Sequence, residues 1–387
     1  MQKYIKIEKW ERGNKNLIFF FVILYHRKMK KFRLILLVFN ILAALGLILT
    51  TLAGLIPPST SFLPSVMAYG FLPMLLVNLV FTIVWLAMGR WEFLISAGTI
   101  LIRISYIGLF FQIGGNSEVP SRAEHPDMVV LMSYNVHGFG GMEFTSSNHS
   151  RNADNFLKLL REHQPDVLCM QEYTSLSEKN ITDSLRTLGY NHSYGARGGS
   201  ENPSGTVVFS KLPITFVKNI DQQKILVELL HGKRKFRICC VHMDSYAFDE
   251  NDRSDIAQMS RGKIDKSSSR RTLGKGKETV LRHEEEWKTL LHPLVTDSKL
   301  PLLLAGDMND IASSWLYSQI TDYLDDTYCD QGSGFCTTYN GSFPRFRIDM
   351  VFHSKEFSTL CYRRITTDIS DHYPVLVALE FNKNNKR

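Results

Sequence analysis

Between Leu34 and Leu55 the chain runs for 22 residues without a charged side chain. About 20 apolar residues in a helix match a hydrocarbon core of roughly 30 Å, so the run is expected to span a membrane. It also divides the sequence in two. Apolar residues crowd into Leu34 to Ile113, whereas everything after about Val119 has the mixed composition and turn spacing of a globular domain.

Two further runs extend the anchor. Phe71 to Met88 follows a charge-free loop containing Pro57, Pro58 and Pro64, and Gly89-Arg90-Trp91-Glu92 then marks a membrane interface. Phe93 to Ile113 carries Arg103 near its middle, at an insertion cost of about 2.5 to 3.5 kcal/mol that its Ile, Leu and Phe residues offset. An interfacial helix is the alternative there, and it would reverse the side on which the remainder emerges. The expectation is three spans, 34–55, 71–88 and 93–113, followed by a linker at 114–126, a catalytic domain at 127–381 and a polar tail at 382–387. Arg27, Lys28, Lys30, Lys31 and Arg33 precede the first span, and Ile56 to Tyr69 has no Lys or Arg. The positive-inside rule then puts the N-terminus in the cytoplasm, and three spans give a multi-pass protein of the cell membrane with its catalytic domain outside the cytoplasm. Leu17 to Tyr25 is too short to cross alone. Met29-Lys30-Lys31 before an apolar helix looks like a bacterial membrane-protein start, so residues 1–28 read as an upstream extension.

A net charge of +7 suggests a nucleic-acid binder until it is located. Ten of the 45 Lys and Arg, but only two of the 38 Asp and Glu, lie within residues 1–33. The remainder carries 35 bases against 36 acids. The basic excess belongs to the anchor, which argues against a basic track for duplex DNA. Six scattered cysteines make neither a disulfide scaffold nor a zinc site; Cys329 and Cys336 flank a Gly-rich turn and could bridge in an oxidising compartment.

Beyond Asp127, β-rich runs (Met128–Tyr134, Asp166–Met170, Thr206–Ser210, Phe236–Val241, Pro301–Ala305, Ile348–Phe352, Val375–Phe381) interleave with helix candidates at Asn152–Glu162, Leu176–Leu188, Lys277–Leu291 and Ser313–Asp322. Such alternation implies an α/β architecture with helices covering sheet faces. Asp249 to Gly276 has no apolar period and reads as a mobile loop; Gly274-Lys275-Gly276-Lys277 does not make a P-loop.

Polar residues sit at the end of nearly every strand. Ser133-Tyr134-Asn135-Val136-His137-Gly138 exposes an amide at a sheet edge, although a turn-forming Asn looks the same. Gln171-Glu172 ends an apolar strand in a carboxylate suited to a hard cation, and His242 ends another in an imidazole. In Gly306-Asp307-Met308-Asn309 the glycine allows close approach while Asp307 can orient a water and Asn309 hold a phosphate oxygen. Arg347-Ile348-Asp349 and Ser370-Asp371-His372-Tyr373-Pro374 complete the series, the imidazole needing a carboxylate such as Asp349 to orient it.

In this order the motifs resemble the endonuclease/exonuclease/phosphatase superfamily over residues 127 to 381. The resemblance implies a four-layer α/β sandwich, two central β-sheets flanked by helices, with the site at one edge. It implies Glu172 as principal Mg²⁺ ligand with Asp371 near the metal, Asn135 and Asn309 as phosphate-positioning amides, and Asp307 as activator of the attacking water. His242 would contact phosphate or donate a proton, and Asp349 with His372 would be the orienting pair. His137 stands where some nucleases of the family have Asp, which puts a second metal contact there in doubt. The carboxylate and amide donors suit Mg²⁺, and Mn²⁺ would be accepted. The expected activity is metal-dependent hydrolysis of a phosphoester in a small molecule, a phospholipid or a nucleic acid. The alternatives are a nuclease and a non-catalytic membrane scaffold that retains the fold.

Overall fold

The computed structural model describes residues 30–140, 149–195, 204–246, 248–260, 266–341 and 345–382. Residues 1–28, read above as an upstream extension, lie outside these. The described residues form two compact units, one within 1–51 and 70–104 and the other within 52–69 and 105–387.

In the first unit three apolar helices pack around a buried polar knot. Ser96 Oγ lies 2.8 Å from both Asn40 Oδ1 and Asn78 Oδ1, and Asn78 Nδ2 donates to the Ala43 carbonyl at 2.9 Å. Arg33 Nε donates to the buried Glu92 carboxylate at 2.6 Å. Of the three expected spans, the helices support one: among the described residues Lys30–Leu49, with 20 residues, is long and apolar enough to cross a membrane. The second, Phe71–Ala87, has 17 residues, and the third, Phe93–Ile102, has only 10, about 15 Å of rise. The third run is broken at Arg103, whose backbone leaves helical geometry (φ −107°, ψ 19°). Beyond it Gln112 Nε2 bonds the Gly108 carbonyl (2.7 Å), and Phe111–Gln112 becomes a strand paired with Gly334–Phe335.

The second unit holds two six-stranded sheets. One runs in the order Phe357–Arg364, Val375–Phe381, Met128–Asn135, Val167–Thr174, Ser204–Ser210, His192–Gly195. The other runs Asp325–Asp326, Asp349–His353, Leu302–Asp307, Arg234–His242, Lys224–His231, Ile214–Asn219. Each has one parallel pair, Met128–Asn135 with Val167–Thr174 and Arg234–His242 with Leu302–Asp307.

Alternation along the strands builds the layers. Val129 and Leu131 meet Ile225, Ile238 and Val351 between the sheets. Val130 and Met132 instead face Phe156, Leu160 and Ile181 of the helices His149–His163 and Ser175–Thr187. On the far side Leu304 and Met350 pack on Trp287, Trp315 and Ile320. Helix, sheet, sheet and helix make the four-layer sandwich. Strands covered on both faces need continuous apolar runs, which is why Met128–Asn135, Val167–Thr174, Arg234–His242 and Leu302–Asp307 stand out in the sequence, whereas the equally interior Lys224–His231, interrupted by Glu228, does not.

One segment differs from expectation. Asp249–Gly276 is largely helical, within Glu250–Ser260 and Lys266–Glu286. It lacks an apolar period because it is held by charge: the buried Asp252 accepts from Arg271 Nε (3.1 Å), Thr272 Oγ1 (3.3 Å) and Lys275. Residues 114–126 are fixed to the sheet, with Tyr362 N donating to Asn116 O (2.9 Å) and Arg122 pairing with Asp166 at 2.8 Å. Cys329 and Cys336 are free thiols.

Candidate active site

Register brings the reactive ends together. His242 lies opposite Asp307 on the parallel neighbour, and Asp349 lies opposite Asp307 on the antiparallel one. Asn135 pairs with Gln171, which puts Glu172 just beyond. Gly306 makes this possible: a Cβ there would lie 1.8 Å from the Val241 carbonyl oxygen.

The eight expected site residues form one constellation. Asn135 Nδ2 donates to Glu172 Oε1 (2.9 Å) and Asp307 Oδ2 (3.1 Å). His242 Nε2 stands 3.7 Å from each of the same two carboxylates, and His372 Nε2 is also 3.7 Å from Asp307 Oδ2. Behind it His372 Nδ1 donates to Asp349, 2.9 and 3.1 Å from its two oxygens. Ser370 Oγ bonds the Asn135 carbonyl (2.8 Å), tying the Asp371-His372 turn to the first strand. Asn309 is engaged with the scaffold: its amide donates to Met243 O (2.9 Å) and its backbone N–H to Asp307 Oδ1 (2.9 Å).

Burial shifts the charges. Asp307 is raised above the ordinary carboxylate range, chiefly by burial and further by Asp349, against the pull of His372 and His242. His372 is pushed down by burial, but Asp349 and Asp307 outweigh this and raise it to about 10. Asp371 is also pushed up by burial, yet the His137 N–H and the His372 charge hold it below its ordinary value.

Two residues given no role by sequence complete the site. Gln223 Oε1 lies 3.2 Å from His242 Nδ1 and orients that ring. It belongs to a turn with no motif, so only the fold reveals it. His137 Nδ1 sits 3.0 Å from Asp371 Oδ1 and 3.8 Å from Glu172 Oε2. His137, Glu172 and Asn309 have φ of 44°, 52° and 47°, a left-handed conformation that non-glycine residues keep only where the surroundings enforce it. Arg347, by contrast, faces away from the chemistry: it pairs with Asp326 at 2.8 Å and stacks on Tyr328 at 4.5 Å.

For a cation, Glu172 and Asp371 present half-buried oxygens beside Asn135 and His137. Donor atoms of Asp307, Asp349 and His372 also lie within 4.8 Å of one another, close enough to share one ion.

Residues 132–372 match the Endonuclease/Exonuclease/phosphatase family, and residues 32–110 match a domain of unknown function, DUF8431. No curated protein matches the chain. Among solved structures it is similar to an endonuclease/exonuclease/phosphatase from Beutenbergia cavernae (17% identity, 66% of this chain and 72% of that one, TM-score 0.47). It is also similar to the human Nocturnin catalytic domain (18%, 69% and 100%, 0.46) and to D. rerio TDP2 complexed with a single-strand DNA product (13%, 65% and 99%, 0.47). The family match covers more than half of the sequence, and the chain belongs to the endonuclease/exonuclease/phosphatase family.

Proposed function

We propose that this chain hydrolyses phosphoester bonds by in-line attack of water, on small or membrane-borne substrates. The observation that carries this reading is the convergence of Asn135, Glu172, His242, Asp307, Asp349 and His372 at adjoining strand ends of two sheets. Asp307, raised by burial, accepts the proton of the attacking water. Asp349 fixes the orientation and charge of His372, which with His242 and Asn135 donates to the oxygens on phosphorus. Glu172 and Asp371 would hold Mg²⁺, or Mn²⁺ in its place, and when bound the ion would supply positive charge against that developing on the phosphoryl group. That side suits a hydrated cation, because the His372 ring of the alternative set is already bonded to Asp349.

Turnover of bis-p-nitrophenyl phosphate by the full-length protein, dependent on Mg²⁺, tests the reading; absence of turnover with any divalent cation overturns it. Plasmid nicking without small-diester or phospholipid hydrolysis would instead make it a nuclease. Glu172→Gln is expected to raise the Mg²⁺ needed for half-maximal rate at least tenfold, by removal of an anionic ligand. An unmoved titration curve would show that Glu172 holds no metal.

Chain order bears on sidedness. If Lys30–Leu49 crosses with its basic end in the cytoplasm, the next residues, Leu52–Tyr69, emerge outside, and they belong to the catalytic unit. One span then suffices for an extracytoplasmic site. A cysteine placed at the exposed hairpin tip, Lys233→Cys, is expected to react with a membrane-impermeant maleimide on intact cells. Labelling only after lysis would put the site in the cytoplasm.

A further inference from the structure

The Leu52–Tyr69 segment takes no part in the chemistry above, yet its contacts fall beside the reactive side chains. The Tyr69 hydroxyl donates to the Tyr246 hydroxyl at 2.9 Å, and its ring meets Phe346 edge-on at 5.2 Å, three residues before Asp349. Ala53 and Ala68 close over Ile311, two residues after Asn309, and Ser313 Oγ donates to Ala68 O at 3.4 Å. Behind them the buried His283 links two of the loops. Its Nε2 donates to Asp244 O (2.7 Å), two residues after His242, and its Nδ1 faces Asp310 at 3.4 Å, next to Asn309. Ser59 fixes the helix that carries His283, its N and Oγ donating to Glu284 at 2.7 and 2.6 Å. A cavity of about 10 Å³ remains between Tyr69, Tyr246, His283 and Asp310, with room for no more than one water.

Resting on the phosphoesterase reading, we propose that Leu52–Tyr69 is a positioning strap of the active site, with Tyr69 its positioning residue. It clamps the loops that follow His242 and Asn309 and the approach to Asp349. Asn309 keeps its left-handed backbone, and its bond to Met243 O, only while both loops are held. Loss of the clamp lets the reactive groups drift, and a shift of about 1 Å costs roughly 10²-fold in rate. The strap precedes the family domain in sequence, so it supplies from outside that domain an order its strands do not provide alone.

The test uses the full-length protein in detergent with bis-p-nitrophenyl phosphate and Mg²⁺. Tyr69→Phe removes one hydroxyl and no packing; Tyr190→Phe is the control, losing a buried bond to Pro165 O (2.7 Å) away from the site. Both should lower the melting temperature by a few degrees. Only Tyr69→Phe should lower kcat, about tenfold with KM within twofold, and speed hydrogen exchange in 243–246 and 308–314. Tyr246→Phe should do the same, and the double variant should be no slower than either single one. A Tyr69→Phe protein with kcat within twofold of wild type, or with unchanged exchange in those segments, overturns the strap. If wild type hydrolyses nothing, the phosphoesterase reading falls, and the exchange measurement alone decides whether the strap holds the loops.

Discussion

Asp307→Asn is expected to cost about 10³-fold or more in hydrolysis, within the range a positioned general base supplies, while the fold survives. The side chain is 1% exposed, and Asn is its near-isostere. The amide can keep the Asn309 N–H bond through its oxygen, but it cannot take a proton from water. Burial already opposes the negative charge there, so its loss should leave the melting temperature within a few degrees of wild type. The measurements are kcat on a small phosphodiester at saturating Mg²⁺ and thermal unfolding followed by circular dichroism. Turnover within tenfold of wild type would remove Asp307 from the proton-transfer role.

His372→Gln is expected to have two consequences, one for rate and one for the pH dependence of stability. The imidazole is held in register by Asp349 and faces Asp307, so hydrolysis should drop by at least about 10²-fold. Its folded-state value of about 10 lies above the ordinary 6.5. Such a group favours folding fully below pH 6.5, and the contribution is lost as pH rises through the folded value. Wild type should therefore lose stability between about pH 6.5 and 10 more steeply than the variant. Denaturant melts across that interval at fixed salt decide it: parallel curves for the two proteins would mean that His372 is not the charged partner of Asp349.

Much of the site was legible in the sequence because buried strands are apolar throughout, so a polar residue at a strand end has no packing reason to be there. Asn135, Glu172, His242, Asp307 and Asp349 were conspicuous in that way, and all lie where strands converge. The strands Ile214–Asn219, Lys224–His231 and Phe357–Arg364 were not seen: the first is exposed on both faces, and charged or polar residues such as Glu228, Arg363 and Arg364 interrupt the apolar pattern of the other two. Asp249–Gly276 was misread because the Asp252–Arg271–Lys275 cluster replaces an apolar stripe, and charge at that spacing looks like a loop. Gln223, His283 and the strap could not be seen, because their roles arise from contacts across long stretches of chain. The third apolar run shows the opposite case: its composition is that of a span, while its helix ends at Arg103, where the backbone leaves helical geometry.

The Asn40–Asn78–Ser96 knot makes the apolar helices unequal to mutation along their length. A buried amide left without a partner costs roughly 2 to 7 kcal/mol, so each of the three buried polar groups depends on the other two helices being present and in step. Sliding one helix by a single residue turns its polar group about 100° away and breaks the set. The outward leucines and isoleucines, such as Leu42, Leu76 and Ile83, carry no such constraint and can be exchanged among apolar residues. The knot thus acts as a register lock: apolar sequence around it can drift, while three small polar side chains set which faces of the helices meet.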